Sequence, residues 1–236
     1  MSTVLAIPDP HCPFMHKDAP EFLAEVKQVE KPNEIVLLGD EEDQAGLGEY
    51  DKDPDGYSAG MEHELALVQL KELFKLFPNV RVCTSNHTGR IFKKAFKHGI
   101  PKAYLKDYRE FLGAPEGWVW KESFIIDGVK YEHGEGFSGD LGALKCAIGN
   151  HRSTAIGHLH SNVGIIYNAA PSDSLIPDGL IFGFGVGCLI DDVSYCFKYN
   201  KTQKKRPILG CGIIKNAIPK FIPMLLDKHK RWVGHL

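Results

Sequence analysis

Residues 34–43 read EIVLLGDEED, a short apolar run that ends in Gly39 and Asp40 and continues into further acids. A continuous apolar run of this length, bounded by a glycine, is typical of a strand that is buried on both faces. Asp40 would then lie where a strand runs into a loop, which is where α/β proteins usually place their chemistry. We therefore predict a buried strand over Glu34 to Leu38 with a functional carboxylate at its end.

The segments on either side repeat this arrangement and place helices between the strands. Thr3 to Ile7 and Val80 to Cys83 are further short apolar runs, and both lead into polar residues. Between them, Ala19 to Val29 and Glu62 to Phe77 carry apolar residues at helical spacing, and Pro78 stops the second segment. This β-α-β-α-β succession favours a largely parallel sheet with helices packed on it.

The second half of the chain has a different pattern. Ile91 to Leu112 indicates one or two basic helices, whereas Trp118 to Ile126 and Val129 to His133 flank Asp127-Gly128, a strong hairpin signal. Further strand candidates are Ala155 to Asn168, Leu180 to Ile190, Pro207 to Ile214 and Phe221 to Leu226. We predict a single α/β domain (an α+β sandwich) over residues 1–236, with two packed mixed β-sheets flanked by helices.

Composition limits the size, partners and location of the protein. The chain of 236 residues is 43% hydrophobic, enough for a substantial core, and its formal charge of -2 creates no overall positive field. Two basic clusters, Lys93-Lys94 with Lys97 and residues 204–206, are interpreted as solvated surface. Six cysteines without a CxxC pair are expected to be buried thiols in a reducing compartment. Neither a signal peptide nor a membrane span is recognisable, so we expect a soluble, cytoplasmic protein without a membrane partner.

Metal ligands are concentrated in five short pieces of the chain. These pieces are Asp9-Pro-His11, Gly39-Asp40, Asn86-His87, His133 and His158-Leu-His160. Side chains two apart on an extended segment point to the same side, so each Asp-x-His or His-x-His pair can bind one ion. Two divalent ions about 4 Å apart can hold a hydroxide and clamp both the attacking and the leaving oxygen of a phosphate ester. Nitrogen and oxygen ligands without a thiolate suit Mn, Fe, Zn or Ni.

In their order, these pieces resemble the motifs of the calcineurin-like metallophosphoesterase family, which are DxH, GDxxD, GNH(D/E), H and GHxH. The resemblance covers residues 9–160 and implies a two-metal hydrolase of phosphate esters. It implies that Asp40 bridges the ions, that Asp43 supports the site, and that His87 is a general acid or binds the phosphate. The metal ligands that it implies are Asp9, His11 and His160 for the first ion and Asn86, His133 and His158 for the second.

Two residues depart from the family pattern. Ser85 replaces the glycine before Asn86, and Thr88 replaces the acid that would orient His87. Arg90 follows closely and is a candidate for binding the substrate phosphate, with a surface salt bridge as the alternative.

The assignment of His133 leaves other donors open. It depends on one residue at the end of a strand, so Glu132 and Glu135 are alternative ligands. Asn150-His151 repeats the Asn-His pair but follows no strand, and we assign it no ligand role.

A separate pattern, over residues 51–62, matches the EF-hand calcium loop with Glu62 as the last ligand. The segment before it has no helical pattern, and Pro54 is awkward within such a loop. We favour a turn over Asp53-Pro54-Asp55-Gly56 that caps the following helix without metal. Because this segment follows Asp40 closely, a substrate-facing flap is the role that we expect.

We expect a dinuclear-metal phosphoesterase, with a phosphodiesterase favoured because the short spans between motifs leave little room for a large specificity cap. Its partner would be a small phosphate-ester substrate or a nucleic-acid end. A metal-dependent nuclease that acts on DNA or RNA ends is one alternative; Lys93, Lys94 and Lys97 favour it and the net charge disfavours it. A non-catalytic scaffold is the other alternative, because a fold alone does not fix a function.

Overall fold

We describe residues 2–49, 54–170, 179–191 and 206–236 of the chain in a computed structural model. These residues form two β-sheets flanked by helices. The strands are β1 (Thr3–Ile7), β2 (Glu34–Leu37), β3 (Asn79–Cys83), β4 (Gly117–Lys121), β5 (Ser123–Ile126), β6 (Val129–Glu132), β7 (Thr154–Ile156), β8 (Gly164–Ala169), β9 (Leu180–Gly185), β10 (Gly210–Lys215) and β11 (Ile218–Pro223). The α-helices are α1 (Ala19–Glu30), α2 (Ala59–Leu76), α3 (Arg90–Lys97), α4 (Tyr108–Leu112) and α5 (Gly142–Gly149).

The first sheet has the strand order β11-β10-β1-β2-β3-β4. Its four strands from β1 to β4 are parallel, whereas β10 and β11 extend the sheet in antiparallel pairing beyond β1. Helices α1 and α2 connect the first three strands, so the predicted β-α-β-α-β succession is confirmed. A parallel sheet brings the carboxyl ends of its strands to one edge, and it is this edge that carries the candidate site.

The second sheet has the order β5-β6-β7-β9-β8 and is mixed. Strands β5 and β6 form the predicted hairpin, in which Asp127 (φ 48°) and Gly128 (φ 81°) both adopt positive φ. Such a two-residue turn matches the right-handed twist of the flanking strands. Strands β6, β7 and β9 are parallel, so this sheet also presents adjacent carboxyl ends.

Burial on both faces explains the apolar composition of the central strands. In β1, Val4 and Ala6 contribute to the core between the two sheets, whereas Leu5 and Ile7 contribute to the core beneath α1 and α2. Neighbouring residues of a strand point to opposite faces, so one strand serves both cores. Tyr131 is the largest side chain that is fully buried, and it lies in the core between the sheets.

Two predicted strands are each divided in the structure. The segment Trp118 to Ile126 contains β4 of the first sheet and β5 of the second, because Trp118 packs in the helix-side core and Phe124 in the core between the sheets. The segment Ala155 to Asn168 contains β7 and β8, separated by the loop that carries two of the predicted metal ligands. The residue pattern of a segment does not reveal with which strands each of its halves pairs.

The helix boundaries also differ from the prediction. Helix α2 begins at Ala59 rather than Glu62, and its cap is the hydroxyl of Ser58, which accepts the N–H of Met61 at 3.2 Å. The prediction that the Asp-Pro-Asp-Gly turn caps this helix is therefore wrong. The basic segment after β3 divides into α3, a short 3-10 turn over Lys102–Tyr104 and α4, as its sequence predicted.

Two expectations about thiols and membranes can be compared with the structure. The five cysteines within the described ranges are all free and buried: Cys12, Cys83, Cys146, Cys188 and Cys211. Residues 204 and 205 of the second basic cluster lie outside the described residues. In the part of the chain that the structure describes, no helix is long and apolar enough to span a membrane.

Candidate metal centre

The predicted ligands lie in loops that follow parallel strands of both sheets. Asp9 and His11 follow β1, Asp40 and Asp43 follow β2, and Asn86 and His87 follow β3. The second sheet supplies the remaining three residues: His133 follows β6, and His158 and His160 follow β7. Residues that are up to 149 positions apart are therefore in contact at the common edge of the two sheets.

A first cluster of donor atoms contains Asp9, His11, Asp40 and His160, with one ligand atom of each within 4.8 Å of the others. Nε2 of His11 lies 3.2 Å from Oδ2 of Asp40 and 3.1 Å from Nε2 of His160. Nε2 of His160 lies 3.1 Å from Oδ2 of Asp9. These are the four residues that the family resemblance implies around the first ion.

A second cluster adjoins the first and shares Asp40 with it. Nε2 of His133 lies 2.7 Å from Oδ1 of Asn86, 3.2 Å from Nδ1 of His158 and 3.3 Å from Oδ2 of Asp40. Oδ2 of Asp40 therefore lies between His11 of one cluster and His133 of the other. The arrangement is that of a carboxylate oxygen shared by two adjacent sites.

Two carboxylate oxygens in these clusters, Oδ1 of Asp9 and Oδ2 of Asp40, are buried without a well-aligned hydrogen bond among the described residues; their contacts are with imidazole nitrogens, at 3.7 Å for Asp9 and at 3.2 and 3.3 Å for Asp40. Both side chains are fully buried. An unpaired buried polar atom is costly, and a buried charge more so, unless it is paired or coordinates a metal. The donors present, which are carboxylate, imidazole and amide groups, fit divalent cations such as Mn, Fe, Zn or Ni.

The electrostatics of the site are those of two carboxylates surrounded by histidines. Burial by itself lowers the pKa of His11, but the charge of Asp40 and hydrogen bonds to Asp40 and Asp43 raise it to about 10. Burial raises the pKa of Asp40, but the charges of His133 and His11 and the hydrogen bond with His11 hold it well below its usual range. The Asp40 carboxylate thus remains ionised and attracts positive charge, which divalent ions would supply by displacing protons from the histidines.

Three of the predicted ligands have a strained backbone conformation. His11, Asp40 and His158 have φ values of 48°, 51° and 60°, in the left-handed region that residues other than glycine adopt uncommonly. Such conformations cost about 1 kcal/mol or more each and are concentrated at functional sites. The surrounding structure therefore holds these three side chains in place against a local preference.

Close contacts explain why glycine occupies two positions of the motifs. Gly39 has φ 105°, and a Cβ there would lie 2.6 Å from Cβ of Ser85. A Cβ on Gly157 would lie 2.9 Å from Cγ of Asp9 and nearer still to its Oδ1. The N–H of His158 also donates to Oδ2 of Asp9, so this loop packs directly against the Asp9 carboxylate.

Asp43 contacts two histidines of the site. Its Oδ1 lies 2.6 Å from Nδ1 of His11 and 2.9 Å from Nδ1 of His87, and both hydrogen bonds help to lower its pKa although burial opposes this. The acid that Thr88 replaces would have oriented His87, and in this chain Asp43 makes that contact. Asp43 thus holds the His11 and His87 rings, and one ligand atom of each of these three residues lies within 4.8 Å of the others.

Both departures from the family pattern make hydrogen bonds to the loop of Asp40. Oγ of Ser85 accepts the N–H of Asp40 at 2.8 Å. Oγ1 of Thr88 accepts the N–H of Glu42 at 3.2 Å and faces the Glu41 carboxylate at 3.1 Å. These contacts tie the Asn86 loop to the Asp40 loop. Sequence reasoning did not predict them, because they join residues more than 40 positions apart.

Glu41 is a buried acid that the motif analysis passed over. Its pKa is raised to about 7 by burial, although hydrogen bonds from the Trp120 indole and the Thr88 hydroxyl oppose this rise. The sequence signal for this residue was that an acid directly follows Asp40, at the end of a strand predicted to be buried. Its place behind the Asn86 loop makes it part of the support of the site.

His87 and Arg90 form a pair at the edge of the site. Nδ1 of His87 lies 2.9 Å from the carbonyl oxygen of Asp43, and Nη2 of Arg90 lies 3.2 Å from Nε2 of His87. A guanidinium has no acceptor, so Nε2 must accept and the proton of His87 is on Nδ1. Arg90 also donates to the Asp43 carbonyl oxygen at 2.8 Å. Within the described residues, Arg90 forms no salt bridge with an acidic side chain. In this part of the chain, its guanidinium thus contacts the site, and the surface salt bridge considered for it is not observed there.

The alternative donors to His133 have other partners. The Glu132 carboxylate accepts from Sγ of Cys146 and contacts Nζ of Lys130 at 2.8 Å, and the Glu135 carboxylate pairs with Lys93 at 2.8 Å. The structure places His133 among the candidate ligands instead. Asn150 directly follows α5 and its amide donates to Glu132, away from both clusters.

The calcium-loop pattern can be compared with the structure only in part. Residues 51–53 lie outside the described residues. Glu62 is buried, and its two carboxylate oxygens accept the N–H groups of Ala45 at 2.7 Å and Gly46 at 2.8 Å. Glu62, which the calcium-loop pattern makes the last ligand, thus accepts hydrogen bonds from the backbone of the segment after Asp43.

Comparisons with known proteins give likenesses of fold. No protein-family model matches the sequence, and no curated protein matches it. Among solved structures, the chain is similar to YfcE, a phosphoesterase from E. coli, at 13% identity and a TM-score of 0.47, over 98% of this chain and 96% of that one. It is also similar to a single mutant of Vps29 from Entamoeba histolytica, at 10% identity and a TM-score of 0.42, over 93% of this chain and 97% of that one.

A third similar structure is the nuclease MPE of Pseudomonas putida, at 10% identity and a TM-score of 0.31, over 93% of this chain and 86% of that one. Identities this low describe the fold alone. In its ordered motifs, in the two donor clusters that they form and in its two mixed sheets, the chain resembles the calcineurin-like metallophosphoesterases.

Proposed function

We propose that this protein is a metal-dependent phosphoesterase that binds two divalent ions and hydrolyses phosphodiesters. The observation that supports this proposal best is the buried Asp40 carboxylate, whose Oδ2 lies between Nε2 of His11 in the first donor cluster and Nε2 of His133 in the second. A buried carboxylate is stabilised by cations, and two divalent ions that shared one carboxylate would suit phosphate chemistry.

The two ions would be held by separate sets of ligands with one member in common. The first set is Asp9, His11, Asp40 and His160, and the second is Asp40, Asn86, His133 and His158. Divalent ions at these positions supply Lewis acidity, which neutralises phosphate charge and activates water. Mn²⁺ is the ion that we would test first, because it tolerates both imidazole and carboxylate ligands.

The residues beside the clusters have roles that follow from their contacts. Asp43 orients the His11 and His87 rings, and a fixed ring direction is what a precise site requires. His87 is about one-fifth exposed and Arg90 partly exposed, so a substrate can reach both. We propose that this pair binds phosphate oxygens, since Arg90 can form two parallel hydrogen bonds to them. Donation by His87 to a leaving group would need Arg90 to move off its Nε2.

The proposal is tested with metal-stripped protein that has been refilled with Mn²⁺. The assay measures hydrolysis of a diester, bis-p-nitrophenyl phosphate, and of a monoester, p-nitrophenyl phosphate. We expect turnover of the diester that is lost in Asp40→Asn, because the shared negative charge is removed. Glu72→Gln, which removes an exposed carboxylate on α2, is the matched control and should leave turnover unchanged. Turnover of neither ester, by protein shown to hold metal, would contradict the proposal and favour the scaffold alternative.

A further inference from the structure

Helix α3 presents a stripe of four basic side chains, Arg90, Lys93, Lys94 and Lys97. Positions three, four and seven apart fall on the same side of a helix, so these residues share one face. Seven residues of helix span about 10 Å, whereas one strand of a duplex advances only about 3.4 Å per nucleotide. The stripe is therefore long enough to meet more than one phosphate group.

The other face of α3 fixes the direction of this stripe. Ala95 is buried, and Phe92 packs against Tyr108 and Phe111 with ring centroids 4.8 and 6.1 Å apart. The helix is thus held by its apolar side, and on its basic side Lys93 and Lys97 are exposed while Arg90 and Lys94 are partly exposed. Helix packing of this kind presents the stripe without requiring the lysines to stabilise the fold.

The stripe begins at the candidate metal centre. Arg90, the first residue of α3, lies 3.2 Å from Nε2 of His87, which follows the metal ligand Asn86. Lys93 reaches Glu135 on the loop after His133, at 2.8 Å. A chain of phosphates lying along α3 would consequently arrive with one phosphate at His87 and Arg90.

The lysines of the stripe are available to an anionic partner. Lys94 has no hydrogen bond or ion pair in the part of the chain that the structure describes. Lys93 and Lys97 pair with Glu135 and Glu49, but all four of these side chains are more than half exposed. Exposed pairs contribute little to stability and exchange readily for a phosphate.

Two aromatic side chains flank the stripe with almost no protein cover. Phe96 is 87% exposed and Tyr104, on the turn after α3, is 80% exposed. The turn that carries Tyr104 lies against α3, the helix that carries Phe96. Exposed rings beside lysines are the arrangement on which unpaired bases stack while the cations hold the phosphates.

The charge of this segment is opposite to that of the rest of the chain. Residues 90–109 contain seven Lys or Arg residues and one acid, Asp107, whereas the whole chain has a formal charge of -2. The residues outside this segment therefore carry a net negative charge. Such a distribution directs a polyanion to α3 rather than to the surface in general.

We propose that the stripe of α3, together with Phe96 and Tyr104, binds single-stranded nucleic acid and delivers a phosphodiester of that strand to the metal centre. The proposal rests on the proposed function for its catalytic half. Hydrolysis would break one P–O bond of the strand and form one to the oxygen of water. One proton of that water would end on the released hydroxyl, and the other product would be a phosphate monoester.

Binding is measured by fluorescence anisotropy with metal-loaded protein. The probe is a labelled oligothymidylate of about 15 nucleotides, with phosphorothioate linkages that prevent its hydrolysis. Lys94→Ala with Lys97→Ala should weaken binding about tenfold and reduce the salt dependence by about 1.4 in log–log slope. Phe96→Ala should weaken it about tenfold as well, because one stacked base is lost.

Matched controls exist on α2. Lys71→Ala with Lys75→Ala removes two exposed lysines, and Val68→Ala removes a side chain that is 63% exposed. Both controls should bind the strand as the unmodified protein does. The proposal would be overturned if the protein did not bind the strand. It would also be overturned if the α3 variants bound the strand as tightly as these controls do. The preference for single strands would be overturned if a blunt duplex bound as tightly as the single strand and Phe96→Ala did not weaken that binding.

Failure of this inference can be told apart from failure of the proposed function. Lys94→Ala with Lys97→Ala should lower kcat/KM for an oligothymidylate with natural linkages about tenfold and leave hydrolysis of bis-p-nitrophenyl phosphate unchanged. A protein that hydrolyses the small diester but not the strand would contradict the inference alone. A protein that binds the strand through α3 and hydrolyses neither substrate would contradict the proposed function.

Discussion

Replacement of Gly157 by alanine tests whether the Asp9 carboxylate must lie where the structure places it. The φ of Gly157 is one that alanine can adopt, since it lies outside the left-handed range, so the effect is purely steric. The new Cβ would lie 2.9 Å from Cγ of Asp9, whereas carbon atoms in contact are about 3.5–4.0 Å apart. The carboxylate must therefore move by about 1 Å.

That displacement affects both the metal and the fold. It stretches the hydrogen bond from the N–H of His158 to Oδ2 of Asp9, a bond to a charged acceptor whose loss costs about 1.5–3 kcal/mol. A misplacement of about 1 Å in a catalytic arrangement costs about a hundredfold in rate. We expect Gly157→Ala to bind Mn²⁺ about 10–100 times more weakly and to lose a similar factor in diester turnover.

Isothermal titration of metal-free protein with Mn²⁺ gives the affinity, and urea unfolding gives the stability. Gly164→Ala is the matched control, because a Cβ there meets no atom within 4 Å among the described residues and its φ is also permissive. The control should titrate as the unmodified protein does. If Gly157→Ala bound Mn²⁺ as tightly as that control, the reasoning that places Asp9 among the ligands would be refuted.

Three further predictions concern the supports of the site and of the fold. Ser85→Ala leaves the buried N–H of Asp40 without an acceptor, so urea unfolding should show a loss of about 1–3 kcal/mol. His87→Ala should reduce turnover by the same factor for diesters with good and with poor leaving groups, as for loss of phosphate binding, and a larger loss with poor leaving groups would show general acid catalysis instead. Hydrogen bonds from Arg231 lower the pKa of Asp18 from 3.8 to about 2. The stability that Asp18 contributes is present above pH 4 and disappears as the pH falls towards 2, so Asp18→Asn should cost about 1 kcal/mol at pH 6 and much less at pH 2.5 in urea unfolding.

The overall fold could be predicted because local patterns and global packing agree in the first sheet. The run at Thr3 to Ile7 is apolar on both faces, and in the structure Val4 and Leu5 contribute to two different cores. The change of sheet between Lys121 and Ser123 could not be predicted, because the polar run from Lys121 to Ser123 does not show which strands the chain pairs with on either side of it.

The candidate site was predictable as a set of residues and not as a set of contacts. Motif order was enough to select Asp9, Asp40 and His133, which the structure brings together. The contacts of Ser85 and Arg90 were not predictable, since each depends on how the Asp40 loop and the Asn86 loop approach one another. Sequence spacing carries information along one element, whereas these contacts are made between elements.

The proposal of a two-metal site is tested most directly by diester turnover measured against the number of Mn²⁺ equivalents added to metal-free protein. Because Asp40 is shared by two donor clusters, we expect turnover to remain low at one equivalent and to reach its maximum near two equivalents. Full turnover at a single equivalent, or turnover that does not depend on added metal, would contradict the account.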